Sequence, residues 1–238
     1  MRKTLCLLLC LAASAFGAEA PPTAVRCVFP QQGQVIEGNS VRVQAALEHH
    51  RSGQRIRLIL DNGAPQDLPA PDHALVLKNL PEGGHTLRLW ASRANGAALA
   101  NPEAFTLVRF FVGRRDFQNR LDPETPFLTA TLPEEGMDGG IDHQVTFDFL
   151  LANAVLSKDG GFVVRCSLNQ QQRVLTERKA VTWEDLTPGR YQFTAELLTS
   201  DLEPVPGLFN RVTRMVDVPM TARALPPVGT ASRKRPED

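Results

Sequence analysis

Leu186-Thr187-Pro188-Gly189-Arg190-Tyr191 and its weaker copy Leu80-Pro81-Glu82-Gly83-Gly84-His85 decide the fold of this chain. Each joins turn-forming residues to a strand, and each lies in a frame that repeats at roughly 104 residues. That period is too long for a solenoid and about right for two whole domains. Pro30-Gln31-Gln32-Gly33 recurs as Pro133-Glu134-Glu135-Gly136, and the alternating run Val41, Val43, Ala45 recurs as Val145, Phe147, Phe149. Phe105 with Val108 and Val112 answers to Phe209 with Val212 and Val216. Period-two alternation broken by turn signals, with almost no helical periodicity, predicts an all-β protein of antiparallel sandwiches.

Working outward, Ile56, Leu58 and Leu60 alternate with Arg55 and Arg57, and Asp61-Asn62-Gly63 then supplies a tight turn, so a hairpin is expected there. Asn169-Gln170-Gln171-Gln172 stands at the equivalent turn. Pro65, Pro69 and Pro71 mark a loop or sheet edge before Ala74 to Leu77 resumes an extended pattern. The expected division is a first sandwich over 24–113, a linker over 114–126 and a second sandwich over 127–218. The tail, 219–238, is poor in large apolar groups and is expected to be disordered. Its Arg233-Lys234-Arg235 cluster is too short to indicate nucleic acid.

A basic start (Arg2, Lys3), an apolar stretch from Leu5 to Ala13 and small residues before Glu19 have the layout of a secretory signal peptide. Cleavage after Gly17 is expected, with a periplasmic or secreted product. No later segment approaches the ~20 apolar residues a spanning helix needs, so no transmembrane segment is expected in the mature chain. Cys6 and Cys10 leave with the signal. Cys27 and Cys166 alternate with core residues of different repeats and are expected to be buried free thiols. The balanced charge of the whole chain, +0, gives no electrostatic case for nucleic acid. A positive excess in the first repeat and a negative one in the second could favour docking of one on the other.

Tyr191, the chain's one tyrosine, stands where immunoglobulin and fibronectin type III sandwiches carry a tyrosine corner, and the chain resembles that family across both repeats. The resemblance extends to exported bacterial proteins with tandem immunoglobulin-like domains. It implies a structural bond from Tyr191 back to the chain a few residues upstream. His85 takes the same place in the first repeat and can bond through a ring nitrogen. The antibody cysteine pair and core tryptophan are absent, and the resemblance implies architecture rather than activity.

Catalytic signatures are missing from the sequence: it has no nucleophile elbow, zinc-protease helix, phosphate loop or dinucleotide fingerprint. His49-His50 reads as a solvated turn. Glu134, Glu135, Asp138 and Asp142 form an acidic loop whose spacing matches no calcium loop. No enzyme activity, metal or cofactor is expected.

One constellation stands out. With Leu87, Leu89, Val108, Phe110 and Val112 facing the core, the alternation sends Arg57, Ile59, Arg88, Trp90, Leu107, Arg109 and Phe111 outward onto one face. Tryptophan and arginine dominate binding at interfaces, and an aromatic ring flanked by arginines can hold sugars. The face is thus expected either to bind a protein or cell-surface glycan or to seat the second domain. The matching set in the second repeat, Arg165, Ser167, Gln192, Thr194, Arg211 and Thr213, is more polar. The expected function is that of an exported, non-catalytic binding, adhesion or envelope-assembly protein, with a carbohydrate-binding accessory module as the alternative.

Overall fold

The computed structural model describes residues 20–69, 74–116, 124–134 and 143–220. The signal segment, most of the acidic loop and of the tail, His73 and linker positions 117–123 lie outside the described residues.

The first sandwich is built from β1 (Ala24–Phe29), β2 (Val35–Ile36), β3 (Val41–Glu48), β4 (Arg55–Leu60), β5 (Gln66–Asp67), β6 (Leu75–Leu77), β7 (Gly83–Ser92) and β8 (Phe105–Val112). One sheet has the order β1-β3-β6, the other β2-β8-β7-β4-β5. The second sandwich comprises β9 (Phe127–Leu132), β10 (Val145–Ala152), β11 (Phe162–Leu168), β12 (Gln171–Leu175), β13 (Val181–Trp183), β14 (Gly189–Thr199) and β15 (Arg211–Val218). Its sheets run β13-β10-β9 and β12-β11-β14-β15. Pairing is antiparallel except where β2 joins β8. A single 3-10 turn, Pro102–Ala104, is the only helix among the described residues.

Alternation sets each core. Val41, Val43, Leu58, Leu87, Leu89 and Phe110 meet inside the first sandwich, and Phe147, Phe149, Cys166, Trp183, Phe193 and Ala195 inside the second. Each fully buried large apolar side chain contributes about 1.5–3 kcal/mol. The hairpin after β4 forms, with Arg57 opposite Asp67 and Gly63 N donating to Leu60 O. Asn169 and Gln170 make the shorter connection between β11 and β12. Phe29-Pro30 and Leu132-Pro133 are both cis, at matching places in the two repeats.

The ladders correct one detail of the repeat. Val112 lies opposite Gly83 and Val218 opposite Gly189, so Val218, rather than Val216, is the counterpart of Val112. The slip of two residues keeps the strand's parity, which is why the core pattern concealed it.

Candidate functional site

The second sheet of the first sandwich gathers the outward residues as the period of two requires. Arg57 lies opposite Trp90, Ile59 opposite Arg88 and Arg88 opposite Leu107. The face is not open to solvent. Arg57 and Arg88 are each 1% exposed and Trp90 is 0% exposed, because the outer face of β9 and β10 lies against them. Ile59 and Trp90 pack with Ala98 and Leu150, while Phe105 and Leu107 pack with Phe127, Phe209 and Ala152.

Polar bonds fix this contact. The Arg88 guanidinium donates to Leu128 O and Thr129 Oγ1, each at 3.1 Å, and to Asp61 O at 2.5 Å. It also lies 3.9 Å above the Phe209 ring. Burial, and then the nearby Arg214, push the Arg88 pKa down from its usual value; the three acceptors and the ring face are what make a buried guanidinium tolerable there. Arg57 reaches Asp67 at 2.9 Å and Glu134 at 2.5 Å, the second across the joint. Asp148 Oδ2 accepts from Ala98 N at 2.8 Å, and Asn62 Nδ2 donates to Arg211 O at 3.2 Å. Arg57 from the positive repeat thus meets an acid of the negative one.

Arg109 and Phe111 lie at the other end of the face. Arg109 is 5.1 Å and Arg115 is 5.7 Å from the centre of the Phe111 ring. Arg109 is half-buried, with Nη2 3.5 Å from Asp116 O.

Tyr191 Oη donates to Thr187 O at 2.8 Å, four residues upstream. His85 does the same with Nε2 against Pro81 O at 2.9 Å, while its Nδ1 meets Asp61 Oδ2 at 2.8 Å. Two acceptors require two N–H groups, so the geometry favours the imidazolium. The Asp61 bond raises the His85 pKa, against an opposing effect of burial. Asp61 also accepts from Thr86 N, so one turn residue ties the hairpin, the corner and Arg88 together. The sequence shows Asp61 only as a turn former.

Cys27 and Cys166 are free. Cys166 is 0% exposed, whereas Cys27 is only half-buried, because β1 is a sheet edge that bulges between Cys27 and Phe29. On the second sandwich's own outward face, Arg165 pairs with Glu196 at 2.6 Å and Ser167 Oγ meets Thr194 Oγ1 at 2.6 Å. Among the described residues no group of three or more His, Cys, Asp or Glu side chains could hold a metal ion, and no helix is long and apolar enough to cross a membrane.

Strand order, the corner bonds and the sandwich-on-sandwich joint define a tandem immunoglobulin-like, fibronectin type III-like β-sandwich protein. Several solved structures match the chain at low identity. The fibronectin(III)-like modules of Clostridium thermocellum CbhA match with 13% identity and a TM-score of 0.30, over 82% of this chain and 94% of that one. The D00-D0 domain of intimin matches with 13% identity and a TM-score of 0.27, over 81% and 99%. The central fibronectin-III array of RIM-binding protein matches with 10% identity and a TM-score of 0.27, over 88% of this chain and 65% of that one. No protein-family model matches the chain, and no curated protein matches it.

Proposed function

We propose that the chain is an exported, non-catalytic binding or assembly protein in which the Trp90 face joins two sandwiches into one rigid unit. The observation that carries this reading is the burial of Arg57, Arg88 and Trp90 between the sandwiches, with Arg88 and Arg57 bonded to Leu128, Thr129 and Glu134. Side chains suited to recognition hold the two halves together, so an external partner meets a preassembled pair. The carboxylates near the joint serve the contact itself: Asp67 and Glu134 are engaged by Arg57, and Asp148 by a backbone N–H. The basic, apolar and small-residue layout of the first seventeen residues supports export to the periplasm or beyond. The units are 24–113 and 127–218, joined through 114–126.

Expression of the chain from Met1, followed by cell fractionation and intact-mass measurement, tests the reading. An exported product beginning at Ala18 is expected. A full-length product confined to the cytosol overturns it.

A further inference from the structure

The two sandwiches close the same seam differently. In the second, the gap between β9 and β15 is sealed by side chains. Arg214 donates to Pro133 O at 2.7 Å and to Ala130 O at 2.9 Å, and Asn210 accepts from Leu128 N at 3.0 Å while donating to Pro126 O at 3.0 Å. Counting back from the paired positions Val218 and Val112, the first sandwich has Val108 in place of Arg214 and Ala104 in place of Asn210. Neither can bridge strands; at the start of β1 Asn101 Nδ2 instead donates to Thr23 O at 2.8 Å, and beyond it no side chain among the described residues replaces Arg214. Between β1 and β8 there is accordingly a groove of about 640 Å³ walled by Val25, Cys27, Phe105 and Leu107.

The floor of that groove is an open strand edge. Arg109 N donates to Gln32 Oε1 and Arg109 O accepts from Gly33 N, both on the side of β8 away from β7. The period of two points the N–H and C=O of Leu107 the same way. The ladder begun by β2 ends at Arg109, and among the described residues nothing continues it. Phe127, Ala152 and Asn153 of the second sandwich form one wall, so the groove is continuous with the joint. Arg26, the charged side chain at its rim, is already paired with Glu48.

We propose that this seam accepts an extended peptide segment of a partner protein, which adds to β8 beside Leu107 and places alternate apolar side chains between Val25, Leu107 and Phe127. An unpaired edge calls for backbone donors and acceptors, and the apolar walls call for side chains on every second residue. With Arg26 paired to Glu48, the remaining polar rim of Gln31, Gln32 and Asn153 is uncharged and favours a segment of low charge, and a segment of about five residues, ~17 Å long, suits the volume. The proposal deepens the binding reading above and rests on it, since the occupant would contact both halves of the preassembled unit.

The test is a titration of the isotope-labelled mature protein with a capped heptapeptide of alternating threonine and valine, and with the same peptide carrying a central proline. The first peptide is expected to slow amide exchange of Leu107 at least ~tenfold and to shift Gln32 and Asn153, and the proline peptide to do neither. Val108→Arg, which places a guanidinium where Arg214 sits in the second sandwich, is expected to abolish the effect. Thr106→Arg covers the same opening from a half-exposed position should that variant not fold. An unchanged Leu107 exchange rate, or equal effects of both peptides, overturns the groove. A flat titration with an exported protein removes the groove alone, whereas a cytosolic protein removes the export reading whatever the titration shows.

Discussion

Replacing Trp90 by alanine removes the ring at the centre of the joint, and its cost can be worked from the structure. The side chain is 0% exposed and packs against Ile59, Ala98 and Leu150. A buried tryptophan hides about 150–250 Å², which at ~25 cal/mol per Å² is about 4–6 kcal/mol. Measured truncations of this kind cluster at about 3–5 kcal/mol, because surroundings partly collapse. The Trp90 indole N–H has no partner among the described residues. Trp90→Phe therefore loses ring volume but also removes an unpaired donor, and should cost less than half as much as Trp90→Ala. Because Trp90 joins the two sandwiches, Trp90→Ala should also divide a single cooperative unfolding curve into two transitions. Chemical denaturation followed by tryptophan emission and by circular dichroism reads both effects. A midpoint within error of the parent for Trp90→Ala would refute the reasoning.

Other outcomes follow from particular side chains. His85 has its pKa raised by Asp61, so the bond's stabilisation is fully present below about pH 6.5, the unfolded value, and is lost as pH rises through the higher folded value; Asp61→Asn should remove that slope from a series of denaturation curves against pH. Tyr191→Phe should lower stability by about 0.5–1.5 kcal/mol, read from the denaturation midpoint, since it deletes the bond to Thr187 O. Burial pushes both Cys27 and Cys166 up to about 11, so at pH 8 thiol reagents should label half-buried Cys27 slowly and Cys166 only on unfolding, as mass spectrometry would report.

The sandwich architecture was legible because its signals are local. Val41, Val43 and Ala45 alternate within one strand, and Tyr191 bonds only four residues back. The set from Arg57 to Phe111 could be placed on one face for the same reason. That the second sandwich covers that face was legible only as one of two alternatives, and the residues that make the contact were not. Arg88 bonds to Leu128 and Thr129, some forty residues away, and β9 conceals its role. Its Thr129 and Thr131 alternate with Leu128 and Ala130 and read as solvent-facing, yet both are 0% exposed because a second sheet lies over them. Asn210 and Arg214 were equally hidden. Arg214 shares the parity of Val212 and Val216 and reads as an interruption of a core strand, whereas its guanidinium closes the seam onto β9. Periodicity tells which way a side chain points but says nothing of the backbone it meets.

The joint between the sandwiches is the centre of this account, and collisional quenching of Trp90 tests it most directly. In the intact Trp183→Phe protein, which leaves Trp90 as the sole reporter, emission should be blue-shifted and acrylamide should quench it several-fold less than in the denatured chain. Red-shifted emission, quenched in the native protein as strongly as in the denatured one, would contradict the buried joint and the unit built on it.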